Sequence, residues 1–500
     1  MHRSKRLLIL VGVLAVVCAA AFLATRVQEQ QEQVEASGET VLAIDAGNVA
    51  SLAWTSGEAE YAFHKDGTWL YDADEAFPVS AEALEELLAP FSSFNAAFVI
   101  RDVTDYAQYG LEEPECTIEI GTADASYTIA LGDMSAMDDQ RYVSIGDGNV
   151  YLAVTDPMDA FAVELSDLID NDEIPQMDTV TTLSLTGAVE ESIAYVEAGG
   201  PSYSDEDVYF LQSGEESLPL DTDLVEDYLG GIRDLVLTDY ATYNATEIEL
   251  ASFGLNDPAL TVTVEYEQQA EAAEEGAEPE TTAGTLALHI GRVEEETEES
   301  AEETAESAED AQEEAQYAYY LRVGDSPIVY NLSDADGEAL FAGSYDDLRH
   351  RQVFWGDFDD VAQATILLDN QTYTLTAQTA ETDETTDAAA GSAEPTAAAG
   401  DEEDAEITWT CNGEPVDVTG IRDKLAALTA EEFTEEAPAD QLEISLTLDL
   451  NDEDVPQVRI QLYRYDGASC LAVLDGEPAA LVAREDVVDL MEAVRTLLLG

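Results

Sequence analysis

Positive charge is what this chain has least of. Only 18 Lys and Arg stand against 109 Asp and Glu, a formal net charge of −91. Nucleic acid and anionic lipid headgroups would be repelled by such a surface, so neither is expected as a partner. Histidine is scarcer still, confined to His2, His64, His289 and His350. No G-x-S-x-G, S-x-x-K, H-E-x-x-H or Walker-type Gly-rich loop is present, so a hydrolase or nucleotide enzyme has little to work with. The four cysteines, Cys18, Cys116, Cys411 and Cys470, include no C-x-x-C pair, which removes a zinc knuckle or thioredoxin-like site. No catalytic residue, cofactor or metal ligand is assigned, and the expectation is a protein that is not an enzyme.

An apolar fraction of 46% in 500 residues is enough for several packed cores. Their arrangement is organised by one motif. Tyr109-Gly110-Leu111-Glu112-Glu113-Pro114 returns as Phe253-Gly254-Leu255-Asn256-Asp257-Pro258. Each copy leads into an alternating apolar run, Cys116, Ile118, Ile120 in the first and Leu260, Val262, Val264 in the second, the period of a strand with one buried face. Gly110 and Gly254 allow a positive φ, and Pro114 and Pro258 open the next strand without needing an N–H partner. With Leu111 and Leu255 they form a structural signature that holds no nucleophile, base or ligand.

The pattern divides the chain into a first α+β unit over 41–176, a second over 177–357 and a diverged third over 358–500. The first opens at Val49-Ala50-Ser51-Leu52, the second at Val180-Thr181-Thr182-Leu183 and the third at Val361-Ala362-Gln363-Ala364. In each, short strands precede an amphipathic helix, expected near 81–91, 221–235 and 418–428, and a further set of strands follows. A helical pattern over 158–169 closes the first unit, and a helix over 484–499 caps the chain. The third unit has lost the Gly-Leu-x-x-Pro turn, and Ala439-Asp440-Gln441-Leu442 stands in its place. Cys411 and Cys470 share this unit and would pair only if adjacent; Cys116, at an inward strand position, reads as a small core residue. Residues 265–284 and 292–316 interrupt the second unit and 378–406 the third. These segments are Glu, Ala, Thr and Asp with almost no large apolar residue, and read as disordered acidic insertions.

At the start, Arg3, Lys5 and Arg6 precede an uncharged apolar run over 7–24 that ends at Arg26. Residues 1–26 read as a signal anchor and transmembrane helix, with a cleaved signal peptide as the alternative. The basic flank stays cytoplasmic and the bulk lies outside the cell membrane, beyond a polar stalk over 27–40. Cys18 follows Val16-Val17 instead of the small residue a lipid-anchoring site wants.

Carboxylates and aromatics remain as candidate surfaces. Asp334-Ala335-Asp336-Gly337 resembles part of a calcium loop, but Leu332 and Gly343 occupy two ligand positions and the site fails. Weak divalent cation binding by the turn acids is the minority reading. His64 and His289 lie in expected strands and read as surface or satisfied residues. Trp54, Trp69, Tyr71, Trp355 and Trp409 read as core and edge protection, or as a contact strip for carbohydrate or protein.

The basic and apolar N-terminus, Gly67-Thr68-Trp69-Leu70 before a Leu-rich helix, the Gly110-Leu111 turn, Leu131-Gly132-Asp133 and Arg141-Tyr142-Val143 before Val150-Tyr151-Leu152 together carry a resemblance. The chain resembles the bacterial family catalogued as domain of unknown function 4340. That resemblance implies a membrane-anchored extracytoplasmic part of a cell-envelope system, with an ABC-type transporter membrane subunit as partner. The resulting expectation is a non-catalytic accessory or scaffold protein; the alternative is an extracellular cation- or glycan-binding surface protein.

Overall fold

The computed structural model describes residues 39–499 except 58, 137–138, 215, 270–280, 295–315, 380–406, 440 and 453–454. The expected membrane span over 1–26, most of the stalk and Cys18 lie outside the described residues. Among the described residues no helix is long and apolar enough to cross a membrane.

The fold is α+β, built on three antiparallel nine-stranded sheets. In the first, β1 (Glu39–Leu42), β2 (Val49–Ser56), β3 (Ala59–Asp66), β4 (Thr68–Tyr71), β5 (Phe94–Ile100), β6 (Cys116–Thr122), β7 (Ser126–Met134), β8 (Arg141–Ser144) and β9 (Val150–Ala153) lie in the order β1-β5-β9-β8-β7-β6-β2-β3-β4. The second holds β10 (Thr179–Gly187), β11 (Glu191–Tyr195), β12 (Tyr209–Ser213), β13 (Glu216–Pro219), β14 (Tyr240–Thr242), β15 (Leu260–Gln269), β16 (Thr281–Glu294), β17 (Tyr317–Val323) and β18 (Val329–Leu332). The third holds β19 (Val361–Leu368), β20 (Gln371–Thr379), β21 (Ile407–Cys411), β22 (Glu414–Val416), β23 (Ala430–Phe433), β24 (Leu442–Leu450), β25 (Gln457–Arg464), β26 (Ser469–Leu474) and β27 (Glu477–Ala483). Their orders, β13-β12-β11-β10-β15-β16-β17-β18-β14 and β22-β21-β20-β19-β24-β25-β26-β27-β23, are the same topology written twice.

Register makes the kinship closer than topology alone. Each opening strand carries a buried valine as its first or second residue, Val49, Val180 or Val361, and each shows an irregularity immediately after it, where the pairing shifts between Val49 and Ser51, Val180 and Thr182, and Val361 and Gln363. Such a bulge bends and twists the strand over the core. Beyond it the buried residues meet in matching rows: Trp54 opposite Ile118, Leu185 opposite Val262, Ile366 opposite Leu446.

Each sheet buries one face under a helix. Ala81–Ser92 starts where Ser80 accepts from the Ala83 amide at 3.2 Å, and buries Leu84, Leu87, Leu88 and Phe91. Thr222–Arg233 is capped by Asp221 and buries Val225, Leu229 and Ile232, while Thr419–Ala426 buries Ile421 and Leu425. The terminal helix Arg484–Leu499 adds Val487, Leu490, Met491 and Val494 to the third core. By compactness the chain forms two units: Met1–Asp172 with Thr242–Asn244, and Glu173–Ala241 with Ala245–Gly500. The second and third sheets therefore share one body.

Several sequence expectations are corrected here. The closing pattern over 158–169 is two pieces, the helix Met158–Phe161 and a 3-10 turn Leu165–Leu168, because Glu164 and Asp167 form their own reciprocal cap and start a new turn. The segments read as insertions begin later and end earlier than their composition suggests. Glu265 pairs with Thr285 and Gln269 with Thr281, so 265–269 and 281–284 belong to a continuous ladder. Likewise β16 runs to Glu294, β17 starts at Tyr317 and β20 runs to Thr379. Alternating Thr, Tyr and Gln supply enough strand character to extend the hairpins. The remaining insertion residues, 270–280, 295–315 and 380–406, lie outside the described residues. Cys411 and Cys470 are both buried and free. They sit on β21 and β26, five strand positions apart, about 24 Å at the usual strand spacing. A disulfide needs its Cα atoms within about 7 Å.

Candidate functional site

The Gly-Leu-x-x-Pro turns serve the fold. Gly110 and Gly254 adopt φ of 68° and 70°, and the Leu111 and Leu255 amides donate back to the Tyr106 and Leu250 carbonyls at 3.1 and 2.8 Å. Both leucines are buried. Pro114 and Pro258 stand two residues before Cys116 and Leu260, where β6 and β15 begin. Each turn rests on a second glycine: a Cβ on Gly132 would lie 2.2 Å from the Tyr109 carbonyl oxygen, and one on Gly291 1.9 Å from that of Phe253. Beside the first turn, buried Arg141 binds Asp156 at 2.8 Å, Glu115 at 2.6 Å and the Gly132 carbonyl at 2.6 Å. Burial opposes its charge, but the bonds to Asp156 and Glu115 outweigh that and raise its pKa.

The other residues singled out in the sequence do not converge. His64 is exposed and bonded to Asp72 at 2.5 Å, which raises its pKa. His289 faces Thr261 at 3.2 Å, and its pKa is lowered by burial and by Arg322. Asp334–Phe341 is a helix capped by Ser333, not a cation loop. Trp54, Trp69 and Trp409 are buried, in keeping with the core reading. Among the described residues no group of three or more acids, His or Cys is placed to hold a metal ion.

Trp355 is different, and leads to the polar cluster of the second unit. The helix Tyr345–Leu348 ends at Arg349, and the chain then runs extended. It is pinned by Ala430 donating to the Arg351 carbonyl at 2.7 Å and Val353 donating to that of Leu428 at 2.9 Å. This holds His350 and Trp355 stacked, ring centroids 4.6 Å apart and 8° from parallel. Both rings, and Ser202, converge on Asp207, which is 2% exposed. His350 Nε2 lies 2.9 Å from Asp207 Oδ1, and Trp355 Nε1 donates to Asp207 Oδ2 at 3.1 Å and to Ser202 Oγ at 3.0 Å. The Ser202 hydroxyl donates to the same carboxylate. On the far side, His350 Nδ1 faces Asp221 at 3.5 Å, the residue that caps Thr222–Arg233.

Ser, His and Asp are thus together, but wired differently from a nucleophile–base–acid relay. A relay needs the serine hydroxyl on the histidine; here both meet at the carboxylate. The arrangement ties residues 202–207 to residues 350–355 within the second repeat, and the latter segment is in turn bonded to Leu428 and Ala430 of the third. Nothing in the sequence marked it, because Asp207 and His350 are 143 positions apart and neither falls in a motif.

Against this cluster lies a cleft of about 440 Å³, lined by Tyr203, Tyr345, Arg349, Arg351, Trp355 and Phe433 among others. The size is that of a small-ligand pocket. The Tyr203 hydroxyl donates to Asp475 at 2.6 Å, and burial with that bond pushes its pKa up. Arg349 stacks on Phe433 at 3.5 Å and pairs with Asp346 at 2.9 Å. The Arg351 guanidinium, 6.0 Å from the Phe433 ring, makes no hydrogen bond or ion pair with any described residue.

No curated protein and no solved structure matches the chain. A family model described as Domain of unknown function (DUF4340) matches twice, over residues 69–247 and 211–443. The two matches begin in corresponding strands, β4 and β12, each the last strand shared by both repeats before the packed helix. Together they span well over half of the sequence, and the chain belongs to this family, the Domain of unknown function (DUF4340).

Proposed function

We propose that the protein is a non-catalytic accessory or scaffold subunit of the bacterial cell envelope, anchored by residues 1–26, with its sheets outside the membrane and an ABC-type transporter subunit as partner. The observation that carries the reading is the use made of Ser202, His350 and Asp207. The Ser, His and Asp side chains of the second repeat are committed to fastening the segment 350–355, which is itself bonded to the third repeat, beside a cleft that stays accessible. A body of this kind presents a stable recognition surface.

The test is crosslinking and pull-down of the anchored protein from its own membranes. The expected product is a multispanning transporter subunit as main partner. Recovery of the protein alone, with a clear rise in melting temperature on adding calcium or a cell-wall glycan, would favour the cation- or glycan-binding alternative. Protease added to intact cells tests the orientation: the bulk of the chain is digested without permeabilisation if it lies outside.

A further inference from the structure

The cleft beside His350 has two features that have to be explained together. Its walls are aromatic and apolar, with Tyr203, Tyr345, Trp355, Phe433 and Leu474 contributing. It also holds an arginine whose side chain makes no hydrogen bond or ion pair with any described residue. Fourteen of the 18 Lys and Arg lie beyond Arg26, and two of them, Arg349 and Arg351, flank His350 at this one place. Arg349 is taken by Asp346 and Phe433. The Arg351 side chain makes neither an ion pair nor a hydrogen bond among the described residues.

We propose that this cleft binds the free C-terminus of an apolar peptide segment of a partner protein, with Arg351 receiving the terminal carboxylate and the aromatic walls the last side chain. A guanidinium presents its N–H donors in a planar fork matched to the two oxygens of a carboxylate. Of the lining acids, Asp475 is occupied by the Tyr203 hydroxyl and by the Arg459 amide at 2.8 Å. Glu477 is exposed at the start of β27, where salt screens it. The overall negative charge repels a bare anion, so affinity has to come from an apolar body joined to the carboxylate. A cleft of about 440 Å³ holds the end of a chain and not a continuous strand. The proposal rests on the accessory reading above, since it supplies the chemistry by which a partner is held.

The test uses the full-length chain and calorimetric titration with N-acetyl-Ala-Leu-Phe as free acid and as C-terminal amide. The free acid should bind about tenfold more tightly than the amide, the size of a charge-assisted hydrogen bond. Arg351→Gln should erase the difference and Arg351→Lys should retain part of it. Because the exposed Arg351 side chain makes no hydrogen bond or ion pair with any described residue, both variants should keep the parent melting temperature. Equal binding of acid and amide, no binding by either at millimolar concentration, or 3-phenylpropionate binding as tightly as the tripeptide would overturn it. Pull-down with Arg351→Gln separates the two readings. If the transporter subunit is still recovered in full, the accessory role stands and the carboxylate site falls.

Discussion

Replacing Asp207 tests whether the polar cluster holds the second unit together. Asp207 accepts from Ser202, Trp355 and His350, and is 2% exposed. In Asp207→Ala the Trp355 Nε1–H retains Ser202 Oγ at 3.0 Å as an acceptor, so it is not orphaned. The Ser202 hydroxyl and His350 Nε2 lose theirs. Each buried donor left without a partner costs about 1–3 kcal/mol, so the local loss should be about 2–6 kcal/mol. Asp207→Asn should behave differently. Its carbonyl oxygen can take the Oδ2 position and receive Ser202 and Trp355, while its NH2 faces His350 Nε2, which accepts if the imidazole carries its proton on Nδ1 towards Asp221. The cost should then be about 1 kcal/mol, the ordinary worth of one exchanged hydrogen bond. Two compact units make a single unfolding free energy ill-defined for the chain. The suitable measurement is therefore hydrogen exchange, read on peptides covering 200–210 and 345–358. Protection there should fall steeply in Asp207→Ala and slightly in Asp207→Asn, with peptides of the first sheet unchanged. If Asp207→Ala leaves exchange in both segments at the parent rate, the cluster does not hold the two ends of the second repeat together. If the two variants lose equally, charge and not hydrogen bonding is what Asp207 supplies.

Gly291→Ala should destabilise the second repeat by about 1–3 kcal/mol or more, because the added Cβ meets a backbone oxygen that cannot rotate away; a denaturant midpoint equal to the parent's would contradict this. Cys116 and Cys470, pushed up to about 11 mainly by burial, should resist alkylation at pH 8 in the folded chain and react fully once it is unfolded, read by mass spectrometry. The Asp360 carboxyl is raised by burial and by Asp357, Asp205, Asp359 and Asp452, so the folded state takes up a proton there before the unfolded state does. Stability from this source should rise as pH falls from neutral through its folded pKa. Asp360→Asn should accordingly melt slightly higher than the parent at neutral pH, with the gap closing in acid. A gap that widens in acid would reverse the sign and refute the assignment.

The Gly-Leu-x-x-Pro turns, the packed helices and the three opening valines were legible because each is a local device: a positive φ, a 3.6-residue stripe, a strand start. Less legible were the short edge strands β13, β22 and β23, whose three or four residues carry too little alternation to be read alone. The candidate site was not legible. Asp207 and Ser202 look like two more turn residues in an acidic loop, His350 like an isolated imidazole, and Arg351 like one surface cation. Their meaning comes from a pairing between the two ends of the second repeat that no spacing in the sequence encodes.

The third repeat shows how such a loss of signal arises without a loss of fold. Leu131 and Ile290 are followed by Gly132 and Gly291, which must be glycine because a turn carbonyl sits against each. The corresponding core residue in the third sheet is Leu462, paired with Ile444 as Leu131 is with Cys116. It is followed by Tyr463. The third copy lacks the Gly-Leu-x-x-Pro sequence, and the constraint that keeps glycine at this position in the other two comes from that turn. The pairing shifts locally between Leu442 and Ile444, opposite that residue, and Glu443 beside it is bound by Arg464 at 2.7 Å. Turn and glycine are one interlocking device, so they are lost together. What remains common to all three copies is the bulged opening strand with its buried valine and the inward row it sets, because these fix which face of the sheet meets the core.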